Sequence, residues 1–385
     1  MAINRINFTG EIFMPKQTDK FGFVIKGKTA TKKEYLRMNL GVKENDHNMA
    51  FTEMFGSEQD VIKTRDGGNN NIEVAWEDRF DPEIVANVAF SRKTIIDFTG
   101  LVVPSGKCES LDELHVEYED ADAGVELKRA EFLSTYDAIR YVHLVSDCLT
   151  GKKITVTGQL NINAYKGKFS DRYQASNIYL AKEDAKKGLY LTLETFFNKE
   201  SYDNADEKSE KIVRLNAYVP IYVNKDEGTK YFPKTMVFNF TKADTEQKLK
   251  RADYIKDNMK APKNKYFHLP FKCKVLNGSE EVEITYDMLT KKQKESIDLG
   301  FNKLEDYKKK TFGDRIQEIR IVSPCFNETG FDDGMVECEE TNSEFEEMIY
   351  RFVEAKEEKL EDIVEKEEVP FDENKEELDD YDIFG

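Results

Sequence analysis

The sequence predicts a mainly β protein with helical insertions, built as two β-rich domains followed by a disordered acidic tail. Three observations carry this reading. Short apolar or alternating runs recur from residue 3 to residue 322, punctuated by Gly, Asn and Asp clusters. Before residue 330, helical spacing appears in three stretches, at about 130–148, 245–259 and 289–310. The last 55 residues hold 23 Asp+Glu against 5 Lys+Arg, while the preceding 330 hold 52 of each. A length of 385 residues accommodates about two or three domains. The expected divisions are 1–182, 189–326 and a tail at 331–385.

In order along the chain, residues 3–14 alternate like a strand, with Ile3, Ile6, Phe8, Ile12 and Phe13 interrupted at Gly10. Strands are expected at 21–25, 35–42, 73–76 and 94–103, with a loop at 66–71 where Gly and Asn cluster. Phe132, Leu133, Tyr136, Ile139 and Val142 recur every three or four residues, predicting a helix over 130–148. Residues 151–163 form a strand with Gly158 in its middle, 165–172 a basic aromatic turn, and 173–180 the returning strand. A charged stretch at 182–188 marks the boundary between the domains. Beyond it, strands are expected at 190–196, 211–223, 231–240, 266–275, 281–286 and 315–322. Phe8-Thr9-Gly10, Phe98-Thr99-Gly100 and Val156-Thr157-Gly158 are similar triplets at unequal spacing, so they define no solenoid. Mid-strand glycines at the bends of a small barrel account for them, and so does chance.

Composition narrows the class. The five cysteines are widely separated, form no Cys-x-x-Cys and flank no histidine, which fits a reducing, cytoplasmic setting. The N-terminus lacks the continuous apolar stretch of a secretion signal, and no run is long enough to span a bilayer. The neutral body speaks against a uniformly basic DNA-coating module but leaves room for a local basic groove.

The residues that could carry chemistry cluster in the 151–180 hairpin. Lys166, Lys168 and Arg172 lie beside Tyr165, Phe169 and Tyr173. Single-stranded nucleic acid requires that mixture, with cations for phosphates and flat rings for bases. An exposed hairpin with solubilising lysines and core aromatics has the same composition. Phe21, Phe23, Lys26, Tyr35 and Arg37 form a second basic-aromatic set, and Tyr222, Lys230 and Tyr231 a third. Alternate strand residues face opposite sides, so about half of each set belongs to a core.

Gly151-Lys-Lys-Ile154-Thr-Val156-Thr-Gly158-Gln-Leu160, then Tyr165-Lys166-Gly167-Lys168, then Asn177-Ile178-Tyr179-Leu180 resembles the last two strands of an oligonucleotide-binding (OB) fold. The helical segment before it sits where that fold places its helix. The resemblance implies an OB-like barrel, a second and related barrel after it, and a nucleic-acid groove lined by the hairpin loop. The tip Asp379-Asp380-Tyr381-Asp382-Ile383-Phe384 resembles the acidic C-terminus of bacterial and phage single-stranded DNA-binding proteins, which recruits replication and repair partners. Phe384 is not preceded by Pro and is followed by Gly385, a departure from the bacterial pattern. Asp379, Asp380, Asp382, Ile383 and Phe384 are thereby expected to dock partners. Phe345, Met348, Ile349, Phe352, Leu360 and Ile363 fall on one side of an amphipathic helix expected over 344–364.

Enzyme signatures are lacking. Gly100 to Cys108 has five residues between its glycines and Cys after Lys107, unlike a phosphate loop. The four histidines are isolated, and the acids at 117–122 read as a solvated loop. The expectation is a non-enzymatic phage-type protein, without cofactor or metal, that coats single-stranded DNA in replication and recombination. A structural scaffold and a metal-dependent nuclease are the alternatives.

Overall fold

In the computed structural model, the described residues are 4–18, 22–281, 286, 289–304, 306, 312–326, 328, 330–331 and 334–352. Strands β1 (Arg5–Phe13), β2 (Glu34–Asn45) and β3 (Asn48–Ser57) form an antiparallel meander in which β1 meets β2 through Glu11↔Lys43. Helix α1 (Thr135–Leu144) precedes the hairpin of β4 (Lys153–Tyr165) and β5 (Lys168–Leu180). β4 returns to pair with β1 along Arg5↔Gln159 to Glu11↔Lys153. β5 runs parallel to β3 at Tyr173↔Thr52, which closes the cylinder. Five strands in the order β1-β2-β3-β5-β4, with the helix between the third and fourth, define an OB barrel.

The same circuit recurs. β6 (Gly188–Leu193) and β7 (Phe196–Phe197) are two pieces of a first strand, followed by β8 (Ile212–Asn224) and β9 (Gly228–Asn239). Helix α2 (Glu246–Asp257) leads to β10 (Phe271–Glu281) and β11 (Phe312–Pro324). β7 pairs with β8, β8 with β9, β10 with β11 and β6 with β10, all antiparallel. β9 and β11 are parallel at Val237↔Arg320. The second barrel repeats the topology of the first. A short helix, α3 (Asn342–Met348), follows it.

The strands form because every second residue finds a core. In β1, Ile6, Phe8 and Ile12 are buried while Arg5, Asn7 and Glu11 point out. β1 also joins the barrels: its first half pairs with β6 and its last residues with β2. The switch falls at Gly10, where a Cβ would lie 2.1 Å from the Lys43 carbonyl oxygen. Gly158 sits at a register shift between β4 and β5, and a Cβ there would meet the Gln174 carbonyl oxygen at 1.9 Å. Two of the three Gly triplets therefore mark barrel bends. The third ends in a turn, with Gly100 at φ +88°.

Polar contacts fix the junction. Buried Asn4 donates to the Pro220 carbonyl at 2.7 Å, and Asn48 to that of Val275 at 3.1 Å. Lys234 pairs with Asp171 at 2.6 Å, and Lys274 with Glu44 at 2.6 Å. One hydrophobic core runs through both barrels, and Met1–Tyr350 is one compact unit.

Several local expectations change. Residues 130–132 are not helical: Arg129–Phe132 is a strand paired with Thr94–Asp97, and the helix begins at Thr135 behind a Ser134 cap. The 165–172 turn shrinks to Lys166-Gly167, both at positive φ, and β5 starts at Lys168. Strand Asn48–Ser57 was not expected at all. Its outward positions include Phe51 and Phe55, so neither face is polar and the alternation is hidden. The acids at 118–121 lie in a strand paired with Gly124–Leu127, within an insertion between β3 and α1. Arg79 ties that insertion to α1 by pairing with buried Asp137 at 2.8 Å beneath Trp76 and Phe80. Of the amphipathic helix expected over 344–364, α3 covers only the start: it ends at Met348, Ile349 bridges to Tyr231 in extended backbone and 350–352 are not helical, while 353–364 lie outside the described residues. No described helix is long and apolar enough to cross a membrane.

Candidate nucleic-acid interface

The outward face of β2 and β3 brings together rings and cations that are scattered in sequence. Cross-strand partners share a face, so Tyr35, Arg37, Gly41 and Lys43 of β2 lie beside Ser57, Phe55, Phe51 and Met49 of β3. Phe55 is 58% exposed and Phe51 38% exposed, unusual for large apolar rings on a strand. Tyr35 lies 5.4 Å from Phe55, and Phe13 of β1 lies 6.0 Å edge-on to Phe51. Lys43 stands over the Phe13 ring at 5.1 Å. Glu53, between the two exposed rings, accepts from Arg37 at 2.7 Å and meets Arg172 at 3.5 Å. That carboxylate holds two guanidinium groups on the face without burying them. Gly41, opposite Phe51, lets Phe13 and Met49 close in: a Cβ there would meet them at 3.0–3.1 Å.

The β4–β5 hairpin borders this face and is itself two-sided. Tyr165, Lys168 and Arg172 lie on one side; Tyr165 is 66% exposed, with Lys166 over its ring at 5.3 Å. Phe169 and Tyr173 lie on the other. Tyr173 packs edge-on to Phe8 at 5.1 Å, and burial drives its hydroxyl far above the ordinary tyrosine range. Phe169 packs on Phe232 of the second barrel at 5.6 Å, beside Ile162, Val219 and Ile221. The hairpin thus presents cations and one ring outward and uses its other rings as an inter-barrel clasp.

Of the second set, Tyr35 and Arg37 are on the open face, whereas Phe23 is buried in the core and Phe21 lies outside the described residues. Lys26 is exposed and pairs with Glu34 at 2.7 Å; that ion pair and the Tyr136 hydroxyl hold the Glu34 carboxyl below its usual range. Of the third, Tyr222 is 63% exposed near the end of β8 and Lys230 is half-buried on β9. Tyr231 packs against Phe345 at 4.5 Å, and burial pushes its hydroxyl up to about 12. Asp379, Asp380, Asp382, Ile383 and Phe384 lie outside the described residues. Phe13, Lys43, Phe51 and Phe55 were missed from sequence. The pattern Phe51-Thr-Glu-Met-Phe55 was the available signal, because rings four apart in a strand share a face.

No cluster of His, Cys, Asp and Glu among the described residues could hold a metal ion. Cys273 is buried, and burial raises its thiol well above the usual range; Cys338, also buried, is pushed up to about 12.

No family model and no curated protein matches the chain. Among solved structures it is similar to the wild-type single-stranded DNA-binding protein from Thermus aquaticus, at 9% identity over 72% of this chain and 86% of that one, with a TM-score of 0.26. A deletion mutant of the same bacterial protein gives 10% identity over 72% and 87%, with a TM-score of 0.28. The strand pairings, rather than these loose likenesses, define the fold.

Proposed function

We propose that this protein binds single-stranded DNA across the β2–β3 face of its first barrel and does not act as an enzyme. The exposed aromatic row carries the reading: Phe51 and Phe55, flanked by Phe13 and Tyr35 and interleaved with Arg37, Lys43 and Arg172. A folded protein leaves such rings in water at a free-energy cost unless a flat ligand covers them. Bases provide that ligand, and each stacked base contributes about 1–3 kcal/mol. Tyr165, Lys166 and Lys168 at the hairpin tip reach phosphates beside the row, and Glu53 is the carboxylate that those phosphates displace from its arginines.

Two OB domains, 1–182 and 189–326, would protect single strands during phage replication or recombination. The tail at 331–385 would recruit partners through Ile383 and Phe384 and compete with DNA by its charge. Titration of dye-labelled dT oligonucleotides across a salt series tests this. Binding must weaken log-linearly with salt. A scaffold protein would show no oligonucleotide binding at any ionic strength, and a nuclease would show cleavage that chelator abolishes. The dye belongs on the DNA, because Trp76 is partly buried, with Arg79 over its ring and Tyr136 6.2 Å away.

A further inference from the structure

In the second barrel, β8 and β9 hold the positions that β2 and β3 hold in the first, yet their outward face is covered around Tyr218 and Tyr231. Tyr218 of β8 and Tyr231 of β9, with Phe196 of β7 and Tyr266, form a cage of four rings. Phe345 of α3 fills it completely. Its ring lies 3.9 Å from Tyr266 at 18°, a stacked geometry, and 4.5 Å from Tyr231. Phe196 and Tyr218 close the sides at 5.7 and 5.9 Å.

The segment around Phe345 is acidic, with Glu337, Glu339, Glu340, Glu344, Glu346 and Glu347. Glu337 takes both nearby cations, Lys263 at 3.3 Å and Lys265 at 2.5 Å. The segment is further held by a two-residue strand, Val336–Glu337, paired with Phe267–His268, by Cys338 N–H to the Tyr266 carbonyl at 3.0 Å and by the Asn342 amide to the Asn264 carbonyl at 2.9 Å. Helix α3 itself has seven residues, and beyond it Tyr350 N–H donates to the Tyr231 carbonyl at 2.9 Å. Tyr350 then stacks on Phe232 at 4.5 Å.

We infer that the second barrel carries a nucleobase-stacking site filled by the chain's own segment, Phe345 standing where a base would stack and Glu337 where a phosphate would meet Lys263 and Lys265. The inference rests on the proposal that the first barrel binds single-stranded DNA. A short strand then fills the open face of the first barrel alone. A longer strand reaches the second site only by displacing the segment, so the two barrels engage DNA unequally.

The test compares the full-length chain with Phe345→Ala and with Glu337→Gln, on dT oligonucleotides of about 8 and about 30 nucleotides, lengths that bracket the site size of one OB fold. Phe345→Ala should leave the short oligonucleotide unchanged and tighten the long one by about tenfold, the lower range of one stacked base. Adding Tyr266→Ala to that variant should cancel the gain. Glu337→Gln leaves the ring cage intact and frees two lysines, so it should steepen the salt dependence for the long oligonucleotide only, by about one to two in log–log slope. It decides the matter if Phe345→Ala fails to fold. Tightening that persists without Tyr266, or no length-selective change in a folded variant of either kind, overturns the inference alone. Failure of the unaltered chain to bind either length overturns the reading beneath it.

Discussion

At the scale of single residues, the fate of each aromatic ring depends on which side of its strand it occupies. Phe51 and Phe55 point outward from β3, two positions either side of Glu53, and their rings keep a solvent-facing surface. Phe51→Ala and Phe55→Ala should each weaken dT binding by about 1–3 kcal/mol. Being surface changes, they should alter the urea midpoint little, within about 0.5 kcal/mol of stability. Phe8 gives the opposite pair of outcomes, because its ring is fully buried against Tyr173. Phe8→Ala should cost about 3–5 kcal/mol of folding free energy by leaving a cavity. A Phe55→Ala chain that binds like the parent would remove the aromatic row as the binding surface.

At the scale of elements, the β4–β5 hairpin separates two jobs by strand alternation. Lys166 and Lys168 at its tip are exposed, so the double change to Ala should reduce the slope of log K against log salt by about one for each phosphate that a lysine had neutralised, leaving the melting temperature unchanged. Phe169 grips Phe232 across the junction. Its change to Ala should lower the melting temperature in differential scanning calorimetry and leave the salt slope alone. If Phe169→Ala changed the slope and not the stability, the hairpin's faces would be reversed from those described.

At the scale of the whole molecule, two barrels share the β1–β6 ladder and one hydrophobic core. Thermal unfolding should therefore show one transition across both barrels, with calorimetric and van't Hoff enthalpies in agreement. Two resolved transitions would mean that the ladder does not couple them. Removing residues 353–385 should strengthen DNA binding at low salt and lose that effect near 0.15 M, where the screening length is about 8 Å. Phe345 stays in its cage in that truncation, so the charge of the tail is read apart from the ring.

The sequence by itself determined the β class, the OB-like order of helix and hairpin at 135–180, the neutral body and the acidic end. Those features rest on local periodicity and composition, which need no knowledge of what a strand touches. Gly10 and Gly158 were legible for the same reason, since a bend leaves a local mark. Strand β3 was not, because rings on its outer face erase the alternation that identifies a half-buried strand. Only the tertiary structure decided that Tyr173, Phe169, Phe23 and Tyr231 are packed while Phe51 and Phe55 are open. Only it set Phe345 among Phe196, Tyr218, Tyr231 and Tyr266, which are separated by up to 149 residues from it. Burial is a property of partners distant along the chain. A strand's two faces look alike until those partners arrive.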